Sequence, residues 1–153
     1  MGKVCTFFGH RDCPPSVKPK LRAVLVELIE RQGVERFYVG RQGAFDAMAR
    51  DVLRRLAEQY PHISYAVVLE RLPGRREEAV WDFSDTIFPE GLETVPPRFA
   101  ISRRNEWMLK RADIVVAYAV YGWGGAARWA EKAARRGKTV RNLAQEDAGG
   151  EKA

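Results

Sequence analysis

The chain alternates short apolar runs with longer amphipathic stretches, and the two periods separate strands from helices. Val4 to Phe8 is a continuous apolar run of buried-strand length. Leu21, Val24, Leu25, Leu28 and Ile29 then recur at helical spacing, with Ser16 as N-cap, Pro19 in the first turn and Gly33 as the stop. The unit repeats: Arg36 to Val39 reads as a second strand, and Phe45, Ala49, Val52, Leu53 and Leu56 mark one face of a second helix closed by Pro61. Ile63 to Leu69 makes a third strand. The pattern lapses from Glu70 to Arg98, where Pro73, Gly74, Pro89, Gly91, Pro96 and Pro97 predict a long irregular loop, a kind of segment that is often functional or lid-like. Regularity returns with a helix from about Ile101 to Arg111 and a strand from Ile114 to Tyr121. A glycine loop, an alanine-rich helix ending at Gly137 and a strand from Thr139 to Leu143 follow.

Strands alternating with helices predict a three-layer open α/β sandwich: a mainly parallel, Rossmann-like sheet of about five strands with helices on both faces. A parallel return needs a crossover, and the helix supplies it. Residues 1–143 are expected to form one domain and residues 144–153 a frayed polar tail. A chain of 153 residues can bury roughly 70% of its unfolded surface without covalent staples. Two cysteines, Cys5 and Cys13, are too few for a disulfide framework and lack zinc-site spacing, so a reducing cytoplasm is the expected location and no metal is implied. No apolar run approaches the ~18 residues of a membrane span, and the start lacks the apolar core of a signal peptide, so no membrane partner is expected.

The formal net charge is +6, and 19 arginines outnumber 7 lysines, which suits bidentate contact with phosphate. The charges are scattered rather than gathered in a stripe, so they favour an anionic partner without choosing between a nucleotide and a polynucleotide.

In parallel α/β sheets ligands collect beyond the carboxyl ends of the strands, near the reversal of strand order. Three loops there carry glycine: Gly9-His10-Arg11-Asp12 after the first strand, Gly40-Arg41-Gln42-Gly43 with Asp46 after the second, and Gly122-Trp123-Gly124-Gly125 after the strand that begins at Ile114. Glycine lets backbone N–H groups approach an anion, and a helix N-terminus behind each loop adds favourable partial charge. Any one loop also reads as an ordinary turn. Arg103, Arg104 and Asn105, near the start of the preceding helix, bring guanidinium groups toward the same edge, or form an exposed basic turn. Trp123 is the best placed aromatic for stacking on a base. Cys13, after His10, Arg11 and Asp12, reads as a bland loop thiol before it reads as a nucleophile.

These residues resemble the SLOG superfamily, the Rossmann-like domains that include the LOG proteins and the DNA-processing protein A group. "FFGHRD" resembles the first strand and its glycine-polar loop, and "FYVGRQGAFDAMA" the second strand, loop and acidic position. "SRRNEWMLKRADIVVAYAVYGWGGAARWAEKAARRGKTV" resembles the basic helix, the following strand and the glycine turn with its helix. The match runs from Lys3 to Leu143, and its order and spacing are most similar to small YpsA-like, DUF1273-like bacterial and phage proteins.

The resemblance implies a nucleotide or nucleotide-derived ligand; a sensor or binding domain for it is the leading reading, and no resident cofactor is expected. In the phosphoribohydrolase branch, "PGGxGTxxE" supplies a catalytic glutamate. Aligning Gly125-Ala126 with that glycine-threonine pair puts Trp129 at the glutamate position, and Glu131 lies two residues on, about 200° around the helix. An N-glycoside-cleaving hydrolase or transferase with a different carboxylate, drawn from Asp46, Asp82, Asp85 or Glu90, is the second reading. Non-specific binding of single-stranded nucleic acid is the third. A homodimer paired through helices is the expected assembly.

Overall fold

The computed structural model describes residues 2–146. Six strands form one fully parallel sheet: β1 (Lys3–Gly9), β2 (Val34–Val39), β3 (Ser64–Val68), β4 (Thr86–Ile87), β5 (Ile114–Tyr118) and β6 (Thr139–Asn142), in the order β4-β3-β2-β1-β5-β6. The expected sandwich is therefore present with one strand more than foreseen. The extra strand is β4, inside the stretch expected to be an irregular loop. Its two residues pair with Val67 and Val68, too short a run to carry a period in the sequence.

Alternation along β1 divides the core. Phe7 points to one face with α1 (Lys18–Arg31) and α2 (Ala44–Gln59), where Leu21, Leu25, Leu28, Phe45, Leu53 and Leu56 are buried. Phe8 points to the other, with α4 (Pro97–Arg111) and α5 (Gly125–Arg135), where Met108, Leu109 and Ala133 are buried. The first helix differs at its start from expectation. Ser16 lies in a short 3-10 turn, Pro15–Val17, and α1 begins without a side-chain cap, Pro19 fixing its first turn instead.

The 70–98 segment is ordered by its own contacts. It holds a short helix, α3 (Arg75–Val80), then β4, then a 3-10 turn at Leu92–Thr94. Asp85 clamps it to the sheet and α2: Arg50 donates from Nε (2.8 Å) and Nη2 (2.6 Å), and Tyr65 donates its hydroxyl (2.8 Å). Helix α4 starts at Pro97, four residues before the apolar pattern announces it. Of the expected polar tail, residues 147–153 lie outside the described residues. Residues 144–146 form a turn, in which the Glu146 carboxylate accepts from Arg141 (2.9 and 2.8 Å) and the Glu146 carbonyl from Lys20 (2.7 Å). No described helix is long and apolar enough to cross a membrane.

Candidate functional site

Strand order reverses at β1, whose neighbours are β2 and β5. A crevice opens there, at the carboxyl edge, with a volume of about 70 Å³. Its walls include Gly9 from β1, Gln42 from the loop before α2, Asp46 from the first turn of α2, Ile101, Arg104 and Asn105 from α4, and Ala126 from α5.

The β2 side is built around a buried guanidinium. Arg104 is only 1% exposed. Its Nη1 donates to the Val68 carbonyl (2.8 Å) and its Nε to Asn105 Oδ1 (2.8 Å), while Glu70 Oε1 stands 3.8 Å from Nη1. Nη2 donates to none of the described residues and is therefore the guanidinium nitrogen that reaches open space, since no fully buried side-chain nitrogen among those residues lacks a partner. Burial pulls the arginine below its ordinary pKa, and the Asp46 and Glu70 carboxylates oppose that pull. Gly40 makes the room: a Cβ there would meet Arg104 Cζ at 2.9 Å. Arg41, beside it, turns away and holds Glu70 through Nε (3.0 Å) and Nη2 (3.3 Å) and Glu77 through Nη1 (3.2 Å).

Asp46 is buried in the first turn of α2, where its Oδ2 accepts the Gln42 N–H (2.8 Å). Desolvation pushes its pKa up to about 6, against the opposing effects of the Gln42 N–H and Arg104. Gly43 has φ +92°, and a Cβ on it would fall 2.5 Å from the Arg11 Cα; Ala44 N–H donates to the Arg11 carbonyl (2.8 Å). The first two glycine loops are thus locked together, with the Arg11 side chain left exposed.

The β5 side is open. Gly124 caps α5 with φ +96° and no side-chain cap, and the first backbone bond of the helix runs from Arg128 N–H to the Gly124 carbonyl (3.0 Å). The N–H groups of the first turn, including that of crevice-lining Ala126, therefore have no intrahelical acceptor. The loop before it is held by His10, whose Nε2 accepts the Val120 N–H (2.8 Å). Tyr121 tilts against His10 (5.5 Å between centroids), and Trp123 stacks on Tyr121 (4.8 Å, 14°), both rings largely exposed.

The structure thus brings Gly9, Gln42, Asp46, Arg104 and Asn105 to one crevice, braced by Gly40 and Gly43. His10, Arg11, Asp12, Gly122, Trp123, Gly124 and Gly125 stand outside its lining, and Arg103 is exposed in a separate cleft between α4 and α5 with Glu106 and Lys132. Glu70 was not among the expected site residues, although its acidic side chain directly ends an apolar strand. Trp129 packs on Phe8 (5.5 Å, 19°), and Glu131 is exposed beside Arg135. Asp82, Asp85 and Glu90 are outside the crevice lining, where Asp46 is the only carboxylate. Burial pushes the Cys13 thiol up, the opposite of activation.

No family model matches the chain, and no curated protein matches it in sequence. Solved structures do match it in fold. DNA processing protein A of Streptococcus pneumoniae superposes with a TM-score of 0.64 at 16% identity, over 92% of this chain and 49% of that protein. DNA processing protein A of Helicobacter pylori, described for its single-stranded DNA binding mode, superposes with a TM-score of 0.56 at 15% identity, over 91% of this chain and 64% of that one. The chain thus spans about half the length of the first protein and under two thirds of the second. The likeness is one of fold, the Rossmann-like fold expected from the resemblance to the SLOG superfamily.

Proposed function

We propose that the protein is a binding or sensor domain for a nucleotide or nucleotide-derived ligand, held by its phosphate in the carboxyl-edge crevice, and that it belongs with the YpsA-like, DUF1273-like proteins. The observation that carries this reading is Arg104: a buried guanidinium lining the crevice, with Nη2 unpaired among the described residues, opposite the free first-turn N–H groups of α5. The crevice volume of about 70 Å³ suits one phosphoryl group and falls far below the ~300–1,000 Å³ of an enclosed small-molecule site. The remainder of the ligand therefore lies outside it.

Calorimetric titration against mono-, di- and cyclic nucleotides tests this. Saturable binding by a phosphorylated member and none by its nucleoside is the expected result. Failure of every nucleotide to bind overturns it.

A second reading, single-stranded nucleic acid, is favoured by the fold shared with the Helicobacter pylori protein and by the exposed Tyr121–Trp123 stack. Base–aromatic stacking on such a platform tolerates any sequence, and the net charge of +6 supports backbone contact. Oligonucleotide binding that weakens steeply with salt, with no mononucleotide binding, would make this the correct reading. The N-glycosidase reading retains Asp46 as its one crevice carboxylate, and chromatography of a nucleotide incubated with the protein reports any released base.

A further inference from the structure

The 70–98 segment, which the crevice does not use, builds a second cavity beside it. Leu72, Phe88, Leu92, Val95, Pro97 and Ile101 enclose about 460 Å³ between the ends of β3 and β4 and the start of α4. That volume lies within the ~300–1,000 Å³ typical of small-molecule sites, and its lining is mostly apolar, with Glu70, Arg71 and Glu93 as its charged members. Two residues join it to the crevice. Ile101 lines both, and Glu70, which lines the cavity, sits 3.8 Å from the crevice-lining Arg104. Leu72 is 62% exposed and Ile101 40%, apolar side chains left toward water at the rim. The wall is held in place from behind, because Asp85, just before β4, is clamped by Arg50 and Tyr65.

We propose that this cavity receives the base of a nucleoside monophosphate whose phosphate occupies the crevice, the chain running past Ile101. The proposal rests on the phosphate reading above and names its ligand class. A planar heteroaromatic base has the apolar faces that Leu72, Phe88, Val95 and Ile101 complement, and an edge of N–H donors and acceptors. Glu70 gives that edge an acceptor: Arg41 donates one hydrogen bond to each of its oxygens, and a carboxylate offers about four lone-pair sites. The placement turns the irregular segment into one wall of the ligand site and assigns the exposed Tyr121–Trp123 stack no part in holding the base.

The test is calorimetric titration of the full chain with inorganic phosphate, ribose 5-phosphate, AMP and CMP, repeated on Leu72→Ser, Val95→Ser and Trp123→Ala. The two nucleotides are expected to bind at least tenfold more tightly than ribose 5-phosphate. Leu72→Ser and Val95→Ser, both at partly exposed positions that line the cavity and not the crevice, are expected to weaken AMP roughly tenfold and leave inorganic phosphate unaltered. If Trp123→Ala carries the loss and Leu72→Ser does not, the base lies on the exposed loop and the placement is overturned while the phosphate reading stands. Equal affinity for AMP and ribose 5-phosphate overturns the placement in the same way. If no phosphorylated compound binds, the phosphate reading fails and the placement with it.

Discussion

The glycine loops after β2 and β5 look alike in sequence, and their surroundings are opposite. Gly40 is pressed against a buried guanidinium that it alone leaves room for, whereas a Cβ on Gly122, Gly124 or Gly125 would meet nothing within 4 Å. One side of the site is a packed wall whose charges, Arg41, Glu70, Asp46 and Arg104, are held by one another. The other is an open rim of exposed aromatics and free helix N–H groups. The difference teaches that a glycine-bearing loop after a parallel strand has two separate settings, one that makes room for a packed neighbour and one that leaves the backbone uncovered at an open edge.

Removing Arg104 should break this contrast most severely. Arg104→Ala leaves Asp46 buried without its facing cation, Glu70 with Arg41 alone and the Val68 carbonyl without the arginine donor, a loss of about 3–5 kcal/mol in chemical denaturation. A variant as stable as the parent would show that the wall is not held by its charges.

Asp46 should come next. An ordinary aspartate pKa of 3.8 raised to about 6 means that the folded state binds the proton more tightly than the unfolded state. The group's contribution is then fully present below pH ~4 and is lost as the pH rises through about 6, amounting to roughly 3 kcal/mol. Comparing the stability of the parent with that of Asp46→Asn from pH 4 to 8 isolates this slope, since the variant lacks it. Parallel curves would place the Asp46 pKa at its ordinary value.

Gly40→Ala against Gly122→Ala tests the comparison directly. The first should destabilise by about 1–3 kcal/mol through overpacking on the guanidinium, and the second should stay within ~0.5 kcal/mol, both read from thermal unfolding. Equal effects would erase the distinction between wall and rim. The smallest effect on stability should come from Arg11→Ala, an exposed side chain whose backbone alone is tied to Ala44. Its unfolding midpoint should be unchanged, and its affinity for a phosphorylated ligand should fall severalfold in calorimetry as one cation leaves the rim.

Much of the fold was legible in advance because strand and helix periods are local. The apolar face of α2 and the buried run of β1 need no knowledge of the rest of the chain. Element ends were less legible: β5 stops at Tyr118 and the next residues turn into the rim, though Ala119 and Val120 continue the apolar run. Of the candidate site, the meeting of Gly9, Gln42, Asp46, Arg104 and Asn105 at one crevice was legible in outline. Glu70 escaped notice because its partners, Arg41 and Arg104, lie 29 and 34 residues away in sequence and on other elements.

By itself, the sequence determined an alternating α/β chain whose parallel strands place their glycine loops on one edge, because a crossover helix between parallel strands admits little else. Only the tertiary structure decided between neighbours such as Arg103 and Arg104. One residue is about 100° of turn on a helix, which sends Arg103 to the outer surface and Arg104 under the sheet edge to Val68. It also decided the fate of the 70–98 segment, whose two-residue strand exists because β3 offers a free edge and Asp85 finds Arg50 and Tyr65. Such pairings are chosen by which surfaces meet in space, and no local period along the chain records them.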